Sequence, residues 1–286
     1  MLADAIRAEG YRLARNRTAV FWSVLFVPIA ALLMGIGVSF VARGNEEKLA
    51  EVSAELGMVA TPLDLGMALI SNTASLAGGP VLLFVLIGAA TLFAGDYRWE
   101  TWRLIRARNR RANLILAKVV AMVVLAFAAM AALLIFSMIG EPIRAAIFGR
   151  AVTFSLSGEQ VGAFFSLFGL GWLRVAQFAM IGLLAATATR SLLAALFIPL
   201  ALGAAQAVGA PMLMGLGVMP DSWTMQLLLP GQAFDDVLKG LMMGGEGAPG
   251  VPVAAQVKAW VSLIGWTVLP LLAALVIFER QDLSKE

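Results

Sequence analysis

Neither cysteine nor histidine occurs among the 286 residues, and only 14% of them are charged. Without cysteine there is no disulfide framework and no thiol nucleophile. Without histidine there is no Ser-His pair, no HExxH zinc site and no imidazole proton relay. No GxxxxGK[ST] stretch is present either, so this chain offers nucleotide phosphates no P-loop cradle. The scarcity of charge separates the chain from soluble domains, where roughly a quarter of residues are charged.

What fills the space is apolar: 60% of the residues are hydrophobic. A helix needs about 20 apolar residues to cross a hydrocarbon core roughly 30 Å thick. Six windows qualify, at about 19–41, 75–94, 119–138, 166–188, 192–209 and 259–278. Unbroken runs such as "VVAMVVLAFAAMAALLIFSM" exclude a barrel, whose strands alternate over about ten residues. The expected fold is an all-α polytopic membrane protein of one domain, 1–286, with six transmembrane helices. The first window follows Arg15 and Arg17 but is too long for a signal-peptide core, so it reads as an uncleaved span.

The basic residues divide unevenly between the two faces. With the N-terminus inside, thirteen Lys and Arg fall on the inner side and six on the outer, with Lys118 and Arg174 at or within spans. The positive-inside rule therefore places both termini in the cytoplasm, and this distribution accounts for the basic excess without nucleic acid as a partner. The opening "MLADAIRAEGYRLARNRT" sets Ile6 and Leu13 on one helical face and reads as an interfacial helix with its arginines near anionic headgroups. Outside, 42–74 predicts a short helix running into span two, and 139–165 a loop. The segment 210–258 is too long for a structureless loop and too broken by Pro220, Pro230, Gly231 and Gly240 to span, so it predicts re-entrant or external helices. Its methionines read as adaptable packing rather than a metal site, and no metal is expected.

Charge is dense in one place, "DYRWETWRLIRARNRR", where six arginines fall between 98 and 111. Read as a helix, it puts Trp99, Trp102 and Arg106 along one stripe and Glu100 within reach of Arg103, with its acids in the first turn as the helix dipole favours. On the residues alone it is either a short helix across the membrane face or a solvated loop that fixes topology. The spacing resembles the inner loop of ABC-2 type transporter permeases. Asp96 matches that family's acid, Thr101 its threonine, Leu104 and Ile105 its apolar pair, Arg111 its arginine and Lys118 the lysine that opens span three. Glu100, Arg108 and Arg110 depart from the glycine, proline and serine the family prefers. The ending "ALVIFERQDL" at 274–283 is similar to the family's apolar span running into a basic-acidic tail.

The resemblance implies a transmembrane subunit in a bacterial inner membrane. It would pair with a second copy or close paralogue and with two cytoplasmic ATP-binding subunits, which would hold the ATP and Mg; no cofactor is expected in this chain. It also implies that the loop between spans two and three is a coupling helix docking into the ATPase, with Asp96, Trp99, Glu100, Thr101, Trp102, Arg103, Arg106 and Arg111 as its interface. Arg174 is a charge inside a span and a functional candidate on that ground. It either lines a substrate cavity with Gln177, Gln206 and Thr267, or snorkels outward or pairs with an external acid. With no acid inside any span, an amphiphilic cargo such as a peptide antibiotic or a lipid is favoured over an ion. A channel, an ion-coupled transporter or a membrane anchor is the alternative class. No catalytic residue is expected.

Overall fold

The computed structural model describes residues 2–45, 62–98, 109–242 and 251–281. The chain enters through α1 (Leu2–Arg15), breaks at Asn16, and continues as α2 (Arg17–Arg43), whose Phe21–Leu25 turn is a π-helix. The break is set locally: the Asn16 side chain accepts from the Ala19 amide at 3.1 Å, capping the new helix. Then come β1 (Leu63–Asp64), α3 (Leu65–Ala74), α4 (Gly79–Arg98), α5 (Arg111–Ile147), β2 (Val152–Thr153), α6 (Gly158–Thr189) and α7 (Leu192–Gly215), followed by α8 (Trp223–Leu228), α9 (Pro230–Met242) and α10 (Val253–Arg280). Six of these, α2, α4, α5, α6, α7 and α10, are long and apolar enough to cross a membrane. The fold is the all-α polytopic class.

Three boundaries differ from the sequence expectation. Helix α5 has 37 residues and runs through Pro142 to Ile147, so the loop expected from 139 begins only after 147. At roughly 1.5 Å per residue it is about 55 Å long, and it overshoots a hydrocarbon core of about 30 Å. Helix α3 does not run into the second span. A turn over 75–78 separates them, and Pro80 enters the first turn of α4, where a missing amide is tolerated. In the segment 210–258, residues up to Gly215 still belong to α7, and among the described residues α8 and α9 form the short helices expected there.

Helix α6 is the hub, packing against α3, α4, α5, α7, α9 and α10. Its apolar window is 67% buried, against 11% for α2 and 17% for α7, which turn most of their surface outward. Glycines set the closest approaches. A Cβ at Gly182 would lie 2.8 Å from the Ala195 carbonyl oxygen of α7, and one at Gly88 would overlap the Ser23 hydroxyl and meet Leu125 Cδ2 at 2.7 Å. Only a residue without a side chain lets α4 sit between α2 and α5 at that level.

At the end of the bundle away from the termini, β1 and β2 pair in parallel, Leu63 opposite Val152. Asp64 caps α3 by accepting from the Gly66 amide at 2.7 Å and the Met67 amide at 3.2 Å, and it also accepts from the Ser155 hydroxyl. That hydroxyl is the main reason the Asp64 carboxyl is held below its ordinary range. A Cβ at Gly66 would overlap the Ser155 carbonyl oxygen, whereas one at Gly169 would meet open space. Gly66→Ala should therefore lower the melting temperature in detergent by at least about 3 °C, with Gly169→Ala leaving it unchanged.

Candidate functional site

Helix α1 lies against α5 and turns Ala5 and Glu9 inward. Glu9 and Arg12 are one turn apart and meet two charges of the bundle, Asp96 in the last turn of α4 and Lys118 two turns into α5. Arg12 donates through Nη2 to Asp96 Oδ1 at 2.6 Å and through Nη1 to Glu9 Oε1 at 3.0 Å. Lys118 Nζ stands 2.5 Å from Asp96 Oδ2 and 3.4 Å from Glu9, and donates to the Leu92 carbonyl at 2.7 Å. Asp96 is 1% exposed and Lys118 2%.

Two carboxylates and two cations make the quartet neutral, which is the condition for keeping charges out of water. The hydrogen bond that it donates to Asp96 is the chief cause that holds the Arg12 guanidinium above its usual range. A cavity of about 180 Å³ borders the quartet, lined also by Asn16, Thr91 and Gly95.

A second clamp sits on the other flank of the residues between α4 and α5. Arg111, the first residue of α5, donates through Nη1 to the carbonyls of Phe278 (3.0 Å), Glu279 (2.7 Å) and Gln281 (2.7 Å) at the end of α10. Those are among the carbonyls that a helix end leaves unpaired, and a guanidinium there also suits the dipole. Gln281 accepts from the Tyr97 hydroxyl at 2.9 Å and donates to the Thr187 carbonyl, so the ends of α4, α6 and α10 meet the start of α5. With α1 beside them, both ends of the chain lie on one face of the bundle.

Of the residues assigned to an ATPase interface, Asp96 and Arg111 are described, and the structure binds both within the chain itself. Trp99, Glu100, Thr101, Trp102, Arg103 and Arg106 lie outside the described residues. Glu9, Arg12, Tyr97 and Gln281 were not singled out in the sequence. The available signal was Glu9, an acid one turn from Ala5 on the side of α1 that faces the bundle.

In mid-bundle, Arg174, Gln177 and Gln206 come together. Arg174 Nη1 donates to Gln177 Oε1 at 2.9 Å and to the Pro230 carbonyl at 3.0 Å, and Nη2 reaches Gln206 Oε1 at 3.4 Å. Its guanidinium carbon is 4.6 Å from the Phe178 ring centroid and 5.3 Å from that of Phe234, and Asp235 adds an attractive charge. Arg174 thus turns inward and pins the first turn of α9 rather than snorkelling. Thr267 is not part of this group; its hydroxyl donates to Leu263 within its own helix.

Removing either buried charge at the centre of the quartet, Asp96 or Lys118, strands its partners. Asp96→Asn or Lys118→Met should each destabilise the chain by about 3–5 kcal/mol, and the double variant by less than the sum, measured by thermal unfolding in detergent. Arg174→Met should leave α1 protected and speed hydrogen exchange in α9, because the Pro230 carbonyl and both glutamines lose their donor.

The family model for an ABC-2 family transporter protein matches residues 9–283. A comparison with curated proteins returned no match. The matched stretch takes in all four residues of the ion quartet, the Arg111 clamp and all six spanning helices. The chain belongs to the ABC-2 family of transporter proteins.

Proposed function

We propose that the chain is the membrane subunit of an ATP-driven exporter in a bacterial inner membrane, with both termini in the cytoplasm. It pairs with a second copy and draws on two ATP-binding subunits that hold ATP and Mg. The observation that carries this reading is the double clamp around residues 99–108. One flank is tied through Asp96 to α1 and α5, the other through Arg111 to the end of α10. A partner that grips the intervening "WETWRLIRAR" would pull on four helices at once, through contacts with discrete bonded geometries of the kind coupling requires. Asp96 and Arg111 then serve as anchors of the lever, and Trp99, Trp102, Arg103 and Arg106 as its grip, the residue types that dominate interface energetics.

An amphiphilic cargo is supported by an open cavity of about 420 Å³ between α6, α8 and α10, lined by Leu184, Leu227, Trp266, Leu269 and Pro270 with few polar atoms. The Arg174 group serves to hold α9 against this part of the bundle.

The test is copurification with the P-loop product of a neighbouring gene. A stable complex with ATPase activity is expected. Trp99→Ala combined with Trp102→Ala should weaken that association about tenfold while leaving membrane insertion intact. Absence of any such complex, or undiminished capture of the ATPase by the double variant, would count against the reading.

A further inference from the structure

Helix α10 turns two adjacent rows of four-residue steps to the apolar cavity: Ser262, Trp266 and Pro270 on one, Gly265, Leu269 and Ala273 on the other. Leu184 of α6 and Leu227 of α8 stand opposite, and no charged side chain lines the cavity among the described residues. The two side-chain donors of the stripe are already committed. Ser262 Oγ donates to the Gln226 carbonyl at 2.6 Å and Trp266 Nε1 to the Leu227 carbonyl at 2.8 Å. One acceptor is left over. Pro270 lies inside α10 and has no amide, so the Trp266 carbonyl, four residues before it, lacks its helical donor. Among the described residues no side chain donates to that carbonyl either. Trp266 stands midway along the 28 residues of α10, about 20 Å from either end, where the bilayer supplies no water to pair it.

We propose that this cavity binds amphiphiles that carry one hydrogen-bond donor, a hydroxyl or an amide N–H, on an otherwise hydrocarbon body, with the donor paired to the Trp266 carbonyl. The inference rests on the reading of the cavity as the cargo's and names the chemical class it admits. A volume of about 420 Å³ is that of a small-molecule site. A plain hydrocarbon leaves the carbonyl unpaired, and a carboxylate or an ammonium group finds no counter-charge on the walls. A donor-bearing chain satisfies both the apolar lining and the acceptor. Gly265 sets the width of the site. A Cβ there would meet nothing within 4 Å, so the missing side chain leaves space in the cavity rather than room for a neighbouring helix.

The test uses the full chain in phosphatidylcholine nanodiscs, without nucleotide or any ATP-binding subunit. It is irradiated with an octanol that carries a diazirine on its chain, and the adducts are located by peptide mass spectrometry. Adducts are expected on Leu227 and on residues 265–273. Added 1-dodecanol should suppress them, and dodecyl methyl ether, which has no donor, should need about tenfold more to do the same. Gly265→Leu fills the cavity without meeting a neighbour and should lower these adducts about fivefold, while adducts on the exposed Val38 and Val41 of α2 stay as they were. Pro270→Ala gives the carbonyl back its amide and should abolish the difference between alcohol and ether. Adducts that persist in Gly265→Leu, equal suppression by alcohol and ether, or an alcohol preference that survives Pro270→Ala would overturn the proposal. Binding is read on the chain alone, so loss of the adducts counts against this site, whereas loss of the ATPase complex counts against the exporter.

Discussion

Asp96 and Lys118 are charges buried where α4 ends and α5 begins, and each is affordable only because of the other groups around it. An isolated carboxylate in such a place would cost several kcal/mol even after relaxation. Asp96 and Lys118 neutralise one another at 2.5 Å, and a second opposed pair, Glu9 and Arg12, reaches them from a helix outside the spanning bundle. Helix α1 is therefore part of the folded core at this face.

The centre of the bundle obeys a related rule with a different solution. Helix α6 carries Arg174 among apolar residues, and there the positive charge is spread over two glutamine oxygens, a backbone carbonyl and two aromatic faces. A carbonyl accepts without a proton of its own to place, so α9 can be held by its first turn. Pro230 suits that position because a helix N-terminus has no use for its missing amide. The glycine beside it, Gly231, leaves room: a Cβ there would come within 2.9 Å of Gln206 Oε1 and 3.3 Å of Arg174 Nη2.

The spans were readable because hydropathy reports directly on the environment each helix must meet: five of the six windows fall inside helices, and the sixth, 75–94, starts four residues ahead of α4. Their ends were less so. Residues 139–147 are more polar than the span before them, yet α5 continues, because Glu141 accepts from Asn72 at 3.1 Å and from Arg144 at 2.5 Å and so stays satisfied on the helix. The spacing of Asp96, Arg111 and Lys118 drew attention to these three residues, but spacing says nothing of where a side chain points. All three turn into the chain: Asp96 meets Arg12 84 residues away, Arg111 meets carbonyls 167 to 170 residues away, and Lys118 joins Asp96 and the Leu92 carbonyl to Glu9, 109 residues away. Arg174 was conspicuous as a charge in a span; that its partner is the carbonyl of Pro230 depends on how a distant segment folds back.

The two flanks of 99–108 are anchored by unlike means, and this bears on how motion would travel under the exporter reading. Asp96 is fixed by two cations in a buried site, and drawing it away from them would strand a charge out of water. Arg111 is fixed by three adjacent carbonyls at a helix end, where a guanidinium can slide from one acceptor to the next while keeping part of its bonding. A pull on the loop would then move α1, α4 and α5 as one body through the ion quartet, while the tie to α10 yields in small steps. Because Gln281 also joins Tyr97 to Thr187, the yielding joint is the one that touches the central helix. The rigid group could thus tilt against α6 and α10, which line the apolar cavity, without breaking the buried charges that hold it together.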